Sequence, residues 1–443
     1  MKVSALPCDP GVAGWEALLP DLAPLAALED TRDADWLVIG GGVAGLAATR
    51  RLSQLQPEAQ IAVLEAKRVG EGPAGRNSGF MIDLPHDLAS EGYAGALDAD
   101  RAQTRANRAA IEFAADMAQS FDLPAEAFAQ TGKINAAATQ KGHRHNLEYA
   151  VHLSGMDEPH QMLDASEMQA LTGSEYYRSG LYTPGTAMVQ PALFARALSR
   201  SLVSNRVAIH ENSPVIELMR NGVWEAVTPS GRIRAPRVIL AVNGHAESFG
   251  QFRGRLLHVF LYASMTRALS GDEVSRLGGE TRWGLTPADP MGSTVRRISG
   301  TGGDRIVIRN QVSYAPSLSV NDDRVDKMGA RHDRTFAARF PQLADVDMEY
   351  RWAGRLCLSW NGAPALGEID EGLFSACCQN GLGLARGTLH GMTMADLACG
   401  ERNELVDYVM SQGTPSRLPP LPFTYVGATA RMAWGQWTAG REL

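Results

Sequence analysis

Basic blocks, membrane-length apolar runs and paired cysteines are what this 443-residue sequence lacks. No Lys/Arg-rich stretch stands out and the formal net charge is -7, so a phosphate-backbone partner is not expected. No run of about 18 or more apolar residues appears, which argues against a membrane span. The chain does not open on a basic stretch followed by an apolar one, so the expected compartment is the cytoplasm. Five cysteines, Cys8, Cys357, Cys377, Cys378 and Cys399, are odd in number and irregular in spacing, without a CxxC pair. That speaks against a disulfide framework or structural zinc and for a reducing environment. Nor do the histidines and acids show metal-ligand spacing or a Ser/His/Asp order.

What is present is apolar material and glycine. Hydrophobic residues make up 44% of the chain and there are 45 glycines, as in α/β folds with many tight turns. The length implies two or three domains. Residues 1–34 are rich in Ala, Leu, Pro and Asp without a strong period. They read as an extension on the main body, with Trp15 and Leu18/Leu19 as anchors.

Regular structure is expected from residue 35. Residues 36–39 form a short apolar run that ends in three glycines, which predicts a buried parallel strand. A helix follows over 43–55 and a second buried strand over 61–64. Gly40-Gly41-Gly42-Val43-Ala44-Gly45 fits G-x-G-x-x-G between that strand and helix. Gly40 permits the tight turn, Gly42 lets the backbone approach a pyrophosphate, and Gly45 lets the helix pack close. The N–H groups of Val43, Ala44 and Gly45 then face phosphate at a helix N-terminus. Glu65, followed by Ala66, ends the second strand where an acid binds a ribose diol. These residues specify a dinucleotide site but do not separate NAD from FAD.

Helices are also expected over 98–121, 191–202 and from the 380s to about 400, and a capping box at Ser166-x-x-Gln169. Strands are expected at 132–138, 256–266, 305–309 and 373–378. Residues 207–242 read as a meander with turns at Asn221-Gly222 and Ser230-Gly231.

The segment Gly72-Pro73-Ala74-Gly75-Arg76-Asn77-Ser78-Gly79 decides for FAD. It resembles the glycine-rich flavin loop of the D-amino-acid-oxidase superfamily, the glycine- and sarcosine-oxidase-like FAD enzymes. Small residues let backbone graze a flat ring, and Arg76 and Asn77 supply donors. The resemblance extends over residues 35–405. Residues 180–184 and 189–191 resemble a segment leading into a helix. Pro214-Val215 resembles the strand start that reads adenine, and Ala241-Val242-Asn243-Gly244 the turn returning to the cofactor. Residues 350–354, ending in Gly354, and 363–367 resemble a further conserved block of that family. Gln379-Asn380-Gly381-Leu382-Gly383 resembles the turn whose N–H groups face the flavin pyrimidine end. The flavour is similar to the γ-glutamylputrescine-oxidase-like branch.

The resemblance implies a Rossmann-type FAD-binding domain interleaved with an antiparallel-sheet substrate domain, a glutathione-reductase-like FAD fold. FAD would be bound by residues 35–95, 185–250 and 352–405, and substrate by 96–184 and 251–351, leaving 406–443 as a tail. Arg296 and Arg297 fall where sarcosine oxidases carry an oxygen-activating Lys over the flavin, and alternation lets only one face the ring. A surface arginine pair is the bland alternative. His86, His258 and Tyr262 are further pocket candidates. Cys357 stands in a run similar to one that carries a flavin-bonded Cys, but Ser359-Trp360-Asn361 depart from that run. A buried Cys is otherwise a small hydrophobe, and noncovalent FAD is favoured. The carboxylate-clamping Arg of amino-acid oxidases is displaced by one position in Arg355, which flips its face on a strand.

The implied activity is oxidation of a small amine or amino acid by hydride transfer to flavin N5, with oxygen or another acceptor taking the electrons. A dehydrogenase, or a subunit that passes electrons to a partner, is the alternative. A non-catalytic or RNA-modifying flavoprotein is the third reading, and the acidic balance opposes RNA.

Overall fold

A computed structural model describes residues 1–85 and 94–443; His86 therefore lies outside the described residues. The strands expected at Trp36–Ile39 and Ile61–Leu64 and the helix Val43–Leu55 are present with those bounds. Both strands are buried along their whole length, which is why they read as unbroken apolar runs rather than as alternation. Among the described residues they belong to a six-stranded sheet. Its order is Val207–His210, Ile61–Leu64, Trp36–Ile39, Arg237–Leu240, Leu373–Cys377 and Ala365–Asp370. The first five run parallel and the last is antiparallel.

Alternate residues of these strands feed two cores. Val38 and Val63 pack with the helices Val43–Leu55, Leu97–Ser120, Pro191–Leu202 and Gly383–Ala398. Leu37, Ile39, Ala62 and Leu64 pack with Leu218, Trp224 and Ile233. The last three sit on the antiparallel strands Glu217–Asn221, Val223–Val227 and Arg232–Ala235. The single meander expected over 207–242 is thus split between two sheets. Its end segments, apolar over 207–209 and 238–240, join the parallel sheet; its middle strands alternate buried and exposed and make hairpins.

The second layer is an eight-stranded sheet. Its order is Met348–Ser359, Leu256–Thr266, Arg305–Tyr314, Thr294–Ile298, Trp283–Pro287, Lys133–Ala137, Ser179–Thr183 and Gln161–Leu163. All pairings are antiparallel except Trp283–Pro287 with Lys133–Ala137. The strand expected to end at 309 continues to Tyr314. The capping box lies two residues before its expected place. The Asp164 side chain accepts from Glu167 N–H at 2.9 Å and Asp164 N–H donates to Glu167 at 2.8 Å. The cap is thus Asp164, and Ser166 Oγ only donates to its carboxylate, at 2.7 Å.

Small residues bring the Val43 and Gly383 helices together. A Cβ at Gly391 would lie 2.1 Å from the Ala44 carbonyl oxygen, whereas one at Gly387 would find Val43 Cβ at 3.6 Å, an ordinary contact. Gly391→Ala is therefore expected to lower stability by about 1–3 kcal/mol. Gly387→Ala, one turn away, should be neutral or slightly stabilising because it removes helix-interior glycine. Urea unfolding of the two cofactor-free variants checks this; equal midpoints would refute the packing argument.

Candidate functional site

The first cavity, about 220 Å³, opens where the Trp36 strand turns into its helix. Gly40 has φ +106, and a Cβ there would lie 2.6 Å from the Ala241 carbonyl oxygen. A Cβ at Gly45 would lie 1.8 Å from Gly40 O, so the helix rests on the turn itself. Gly42 differs: a Cβ there would meet only Ala74 Cβ, at 3.7 Å, and the position lines the cavity. No side chain among the described residues caps this helix, so the N–H groups of Val43, Ala44 and Gly45 are left for whatever enters. Glu65 lines the same cavity; its carboxylate accepts from Gly41 N–H at 2.7 Å and Lys67 N–H at 3.0 Å. Burial pushes its pKa up to about 6, against the pull of those two bonds. Ala66, Val215, Asn243 and Gly244 complete this wall.

The flavin-loop segment spends its side-chain donors on the protein. Arg76 donates to the carbonyls of Glu71 at 2.6 Å, Pro10 at 3.0 Å, Ala353 at 3.2 Å and Gly11 at 3.0 Å. Asn77 Nδ2 donates to Ala74 O at 2.7 Å, and its Oδ1 accepts from Gly79 N–H at 2.8 Å. Gly75 is buried against Gly70, and Ser78 and Gly79 line a second cavity. Arg296 holds this loop from behind. Its Nη1 donates to Val189 O at 2.7 Å, Ser78 O at 2.9 Å and Gly79 O at 3.3 Å, with the rings of Trp15 and Phe80 beside it. Burial lowers its pKa to about 9. Charge-assisted bonds of about 1.5–3 kcal/mol each offset that burial. Arg296 thus supports the loop and does not line the cavity. Arg297 turns the other way, to Glu280 O at 3.0 Å and Asp304 at 3.6 Å. Both are buried, so neither is the surface pair that was the bland expectation.

The second cavity, about 730 Å³, meets the first at Asn77, Arg355, Leu356, Gly381 and Gly383. Leu257, Val259, Leu261 and Ala263 line it from one strand. The alternate residues face away. His258 Nε2 bonds Glu247 Oε2 at 2.6 Å, and Tyr262 Oη meets Ser313 Oγ at 2.7 Å within a cluster with Val325 and Met328. Period-2 geometry therefore removes both from the cavity wall. Leu382 and Gly383 open the Gly383–Ala398 helix into the cavity, and no side chain among the described residues caps it. Asn380, at φ +48, fixes the turn: its Oδ1 accepts from Ser359 N–H at 2.8 Å. Gly354 lies against Arg76 O, with 3.1 Å to an added Cβ.

Polar groups that the sequence reading missed also line the second cavity: Lys141 paired with Asp289 at 3.0 Å, Arg309 donating to Thr294 Oγ1 at 3.0 Å, and Arg431. No local signal marks them, because they come from four distant segments.

The residues before the first helix reach into the site. Asp9 accepts from Arg355 Nη2 at 3.1 Å and pairs with Lys67 at 3.4 Å. Arg355 also contacts His245 Nε2. Burial, then the Arg355 charge, pushes the His245 pKa down to about 3, so that the ring is neutral and accepts. Arg355 is thereby turned toward Asp9 of the N-terminal extension rather than held free as a carboxylate clamp. Cys357 lines the first cavity, and its thiol pKa is raised, chiefly by hydrogen bonding with Cys378 and then by burial. It is not activated as a nucleophile.

The family described as FAD dependent oxidoreductase, DAO, matches residues 35–397. A probable oxidoreductase OrdL of Rhizobium meliloti (strain 1021) is 24% identical over 412 residues, covering 90% of this chain and 91% of that protein. The gamma-glutamylputrescine oxidoreductase of Escherichia coli (strain K12) is 21% identical over 421 residues, covering 92% and 94%. The crystal structure of glycine oxidase from Geobacillus kaustophilus superposes with a TM-score of 0.68 at 20% identity, over 88% of this chain and all of that one. It shares the fold, a two-domain FAD fold.

The donor set fits FAD: uncapped helix N–H groups and Glu65 at one end, a wide chamber at the other. Gly42→Asp is expected to fold, since its Cβ has room, but to purify colourless, because a carboxylate would face the phosphates. Absorbance near the flavin band, beside an unchanged unfolding transition, checks it. A yellow variant would remove Gly42 from the binding site.

Proposed function

The chain belongs to the FAD-dependent oxidoreductase family, DAO, and we propose that it oxidises the C–N bond of a small amine or amino acid, with FAD bound noncovalently. The observation that carries this reading is the junction of the two cavities at Asn77, Leu356, Gly381, Gly383 and Leu384. One cavity suits a diphosphate and ribose, the other a flat ring with a small substrate beside it. FAD supplies the hydride acceptor, N5 of its ring. The protein's task is to position a C–H bond, keep the amine neutral and exclude water.

The apolar row Leu257, Val259, Leu261 and Ala263, with Leu358 and Leu356 beside Leu257 and Val259 on the neighbouring strand, makes a dry wall that favours a neutral amine over its ammonium form. Arg309 and Arg431 bring guanidinium groups to the same chamber and are our candidates for holding an anionic group of the substrate. The Lys141–Asp289 pair is a polar anchor for its far end. No side chain of this wall has to act as acid or base, because the imine product hydrolyses in water. We further propose that residues 35–95, 185–250 and 352–405 serve FAD, and 96–184 and 251–351 serve substrate. Oxygen or another acceptor completes the cycle.

The test is anaerobic titration of the purified yellow protein with amino acids, N-alkylated amino acids and γ-glutamylated amines. At least one should bleach the flavin band, and admission of oxygen or an artificial acceptor should restore it. If dithionite bleaches the band and none of these substrates does, the reading fails. Acid precipitation settles attachment: we expect all colour in the supernatant, since the Cys357 thiol is buried with a raised pKa. A yellow pellet that turns white in Cys357→Ser would reverse that part.

A further inference from the structure

The helix Phe423–Ala439 lies beside the mouth of the second cavity, to which it contributes Arg431 and Trp434. Its inner face is anchored. Thr424 and Ala439 are buried, and Gln436 exchanges hydrogen bonds with the Val312 backbone at 3.2 and 3.4 Å. Its outer face is not covered. Phe423, Val426, Ala430, Trp434 and Trp437 follow one another at intervals of three or four residues and so fall in one stripe. Phe423 is 70% exposed, Val426 63%, Trp434 58% and Trp437 73%. A wholly apolar stripe on the outside of a helix needs a reason, because water-facing helix surfaces are ordinarily polar.

The charge of this region differs from that of the rest. The chain as a whole carries -7, yet between Asp407 and Glu442 there is no acidic residue, while Arg417, Arg431 and Arg441 are present and exposed. Aromatic and aliphatic side chains in a stripe, flanked by arginine and lacking acids, match the boundary between anionic headgroups and acyl chains. No helix among the described residues is long and apolar enough to cross a membrane, so the contact would lie in the surface plane. A second copy of the chain fits less well. Two-fold pairing of the stripe would bring Arg431 towards Arg431 without an acid on the helix to answer it. The stripe is also one helix wide and about 21 Å long at 1.5 Å per residue, narrow for a stable protein interface of about 800 Å² per partner.

We propose that the Phe423–Ala439 helix docks on an anionic lipid bilayer, with the Phe423–Trp437 stripe seated in its interface and the mouth of the second cavity at the bilayer edge. The proposal does not rest on which substrate is oxidised.

The experiment is flotation of the purified holoprotein with vesicles of phosphatidylcholine, alone or with roughly one-third phosphatidylglycerol. Wild-type protein should float with the anionic vesicles, float less with neutral ones, and be released by salt. Phe423→Gln/Trp437→Gln alters two residues outside both cavities. It should keep its flavin spectrum and partition at least about tenfold more weakly. Three results would overturn the proposal: wild-type protein that stays at the bottom with every vesicle, a double variant that floats as well as wild type, or a wild-type dimer that the double substitution dissolves into monomers.

Discussion

The first turn of the Val43–Leu55 helix has to present N–H groups with no side-chain partner, and the surroundings compensate for leaving them so. With glycine at the cap position, as Gly42 is here, the missing side-chain cap costs the helix only about a few tenths of a kcal/mol. Burying Leu46 and Leu52, both at 0% exposure, returns about 1.5–3 kcal/mol each, so packing outweighs the open end. That packing requires close backbone approach on both sides of the helix, to Gly40 through Gly45 and to the Gly383 helix through Gly391. The flavin loop repeats the device, with Gly75 against Gly70. Glycine is placed where two backbones must touch, and the cavity is the space left between those contacts.

This part of the molecule was legible in the sequence because its signals are local, although its packing is not. Strand, turn, helix, strand and acid occupy residues 36–65 and need no distant partner to be recognised. The facing of the catalytic candidates was not legible. Leu256–Thr266 is buried on both faces, one towards the cavity and the other under the Asp322–Arg339 helix. Its alternation therefore carried no sign of which side is which: Tyr262 fell on the helix side and His258 beside the Asn243–Phe249 turn, where it bonds Glu247. At residues 309–312 the period itself fails. Gln311 has φ +60, the pairing register shifts opposite Leu261/Tyr262, and four consecutive residues line the cavity. Arg296 obeyed alternation but reached the carbonyls of Ser78 and Gly79, contacts that span more than two hundred residues.

The contribution of the residues before position 35 was legible only as an extension with anchors. Trp15 is fully buried and donates to Asn77 O at 2.8 Å. Glu211 accepts from Leu25 N–H at 2.7 Å and from Val69 N–H at 2.8 Å. Together with the Arg76 bonds to Pro10 and Gly11, these make the extension part of the site's wall. Its position and that of the flavin loop are fixed by the same hydrogen bonds, so displacing one disturbs the other.

Asp9 explains how the first cavity, which we propose holds the diphosphate, lacks a basic cluster. Among the side chains lining the first cavity, Lys67 and Arg355 are both answered by the Asp9 carboxylate, and Arg68 by Asp21 at 3.3 Å. His245 is held neutral, and Glu65, with its pKa near 6, carries charge at neutral pH. The side chains therefore offer no surplus of positive charge to a diphosphate. What remains is the positive end of the Val43 helix and its open N–H groups, and at the junction with the second cavity the start of the Gly383 helix. Such dipole ends act over about the first turn, so they reward an anion only where backbone can approach it closely. That requirement leads back to Gly42, where a side chain would have space but would take the place of the ligand.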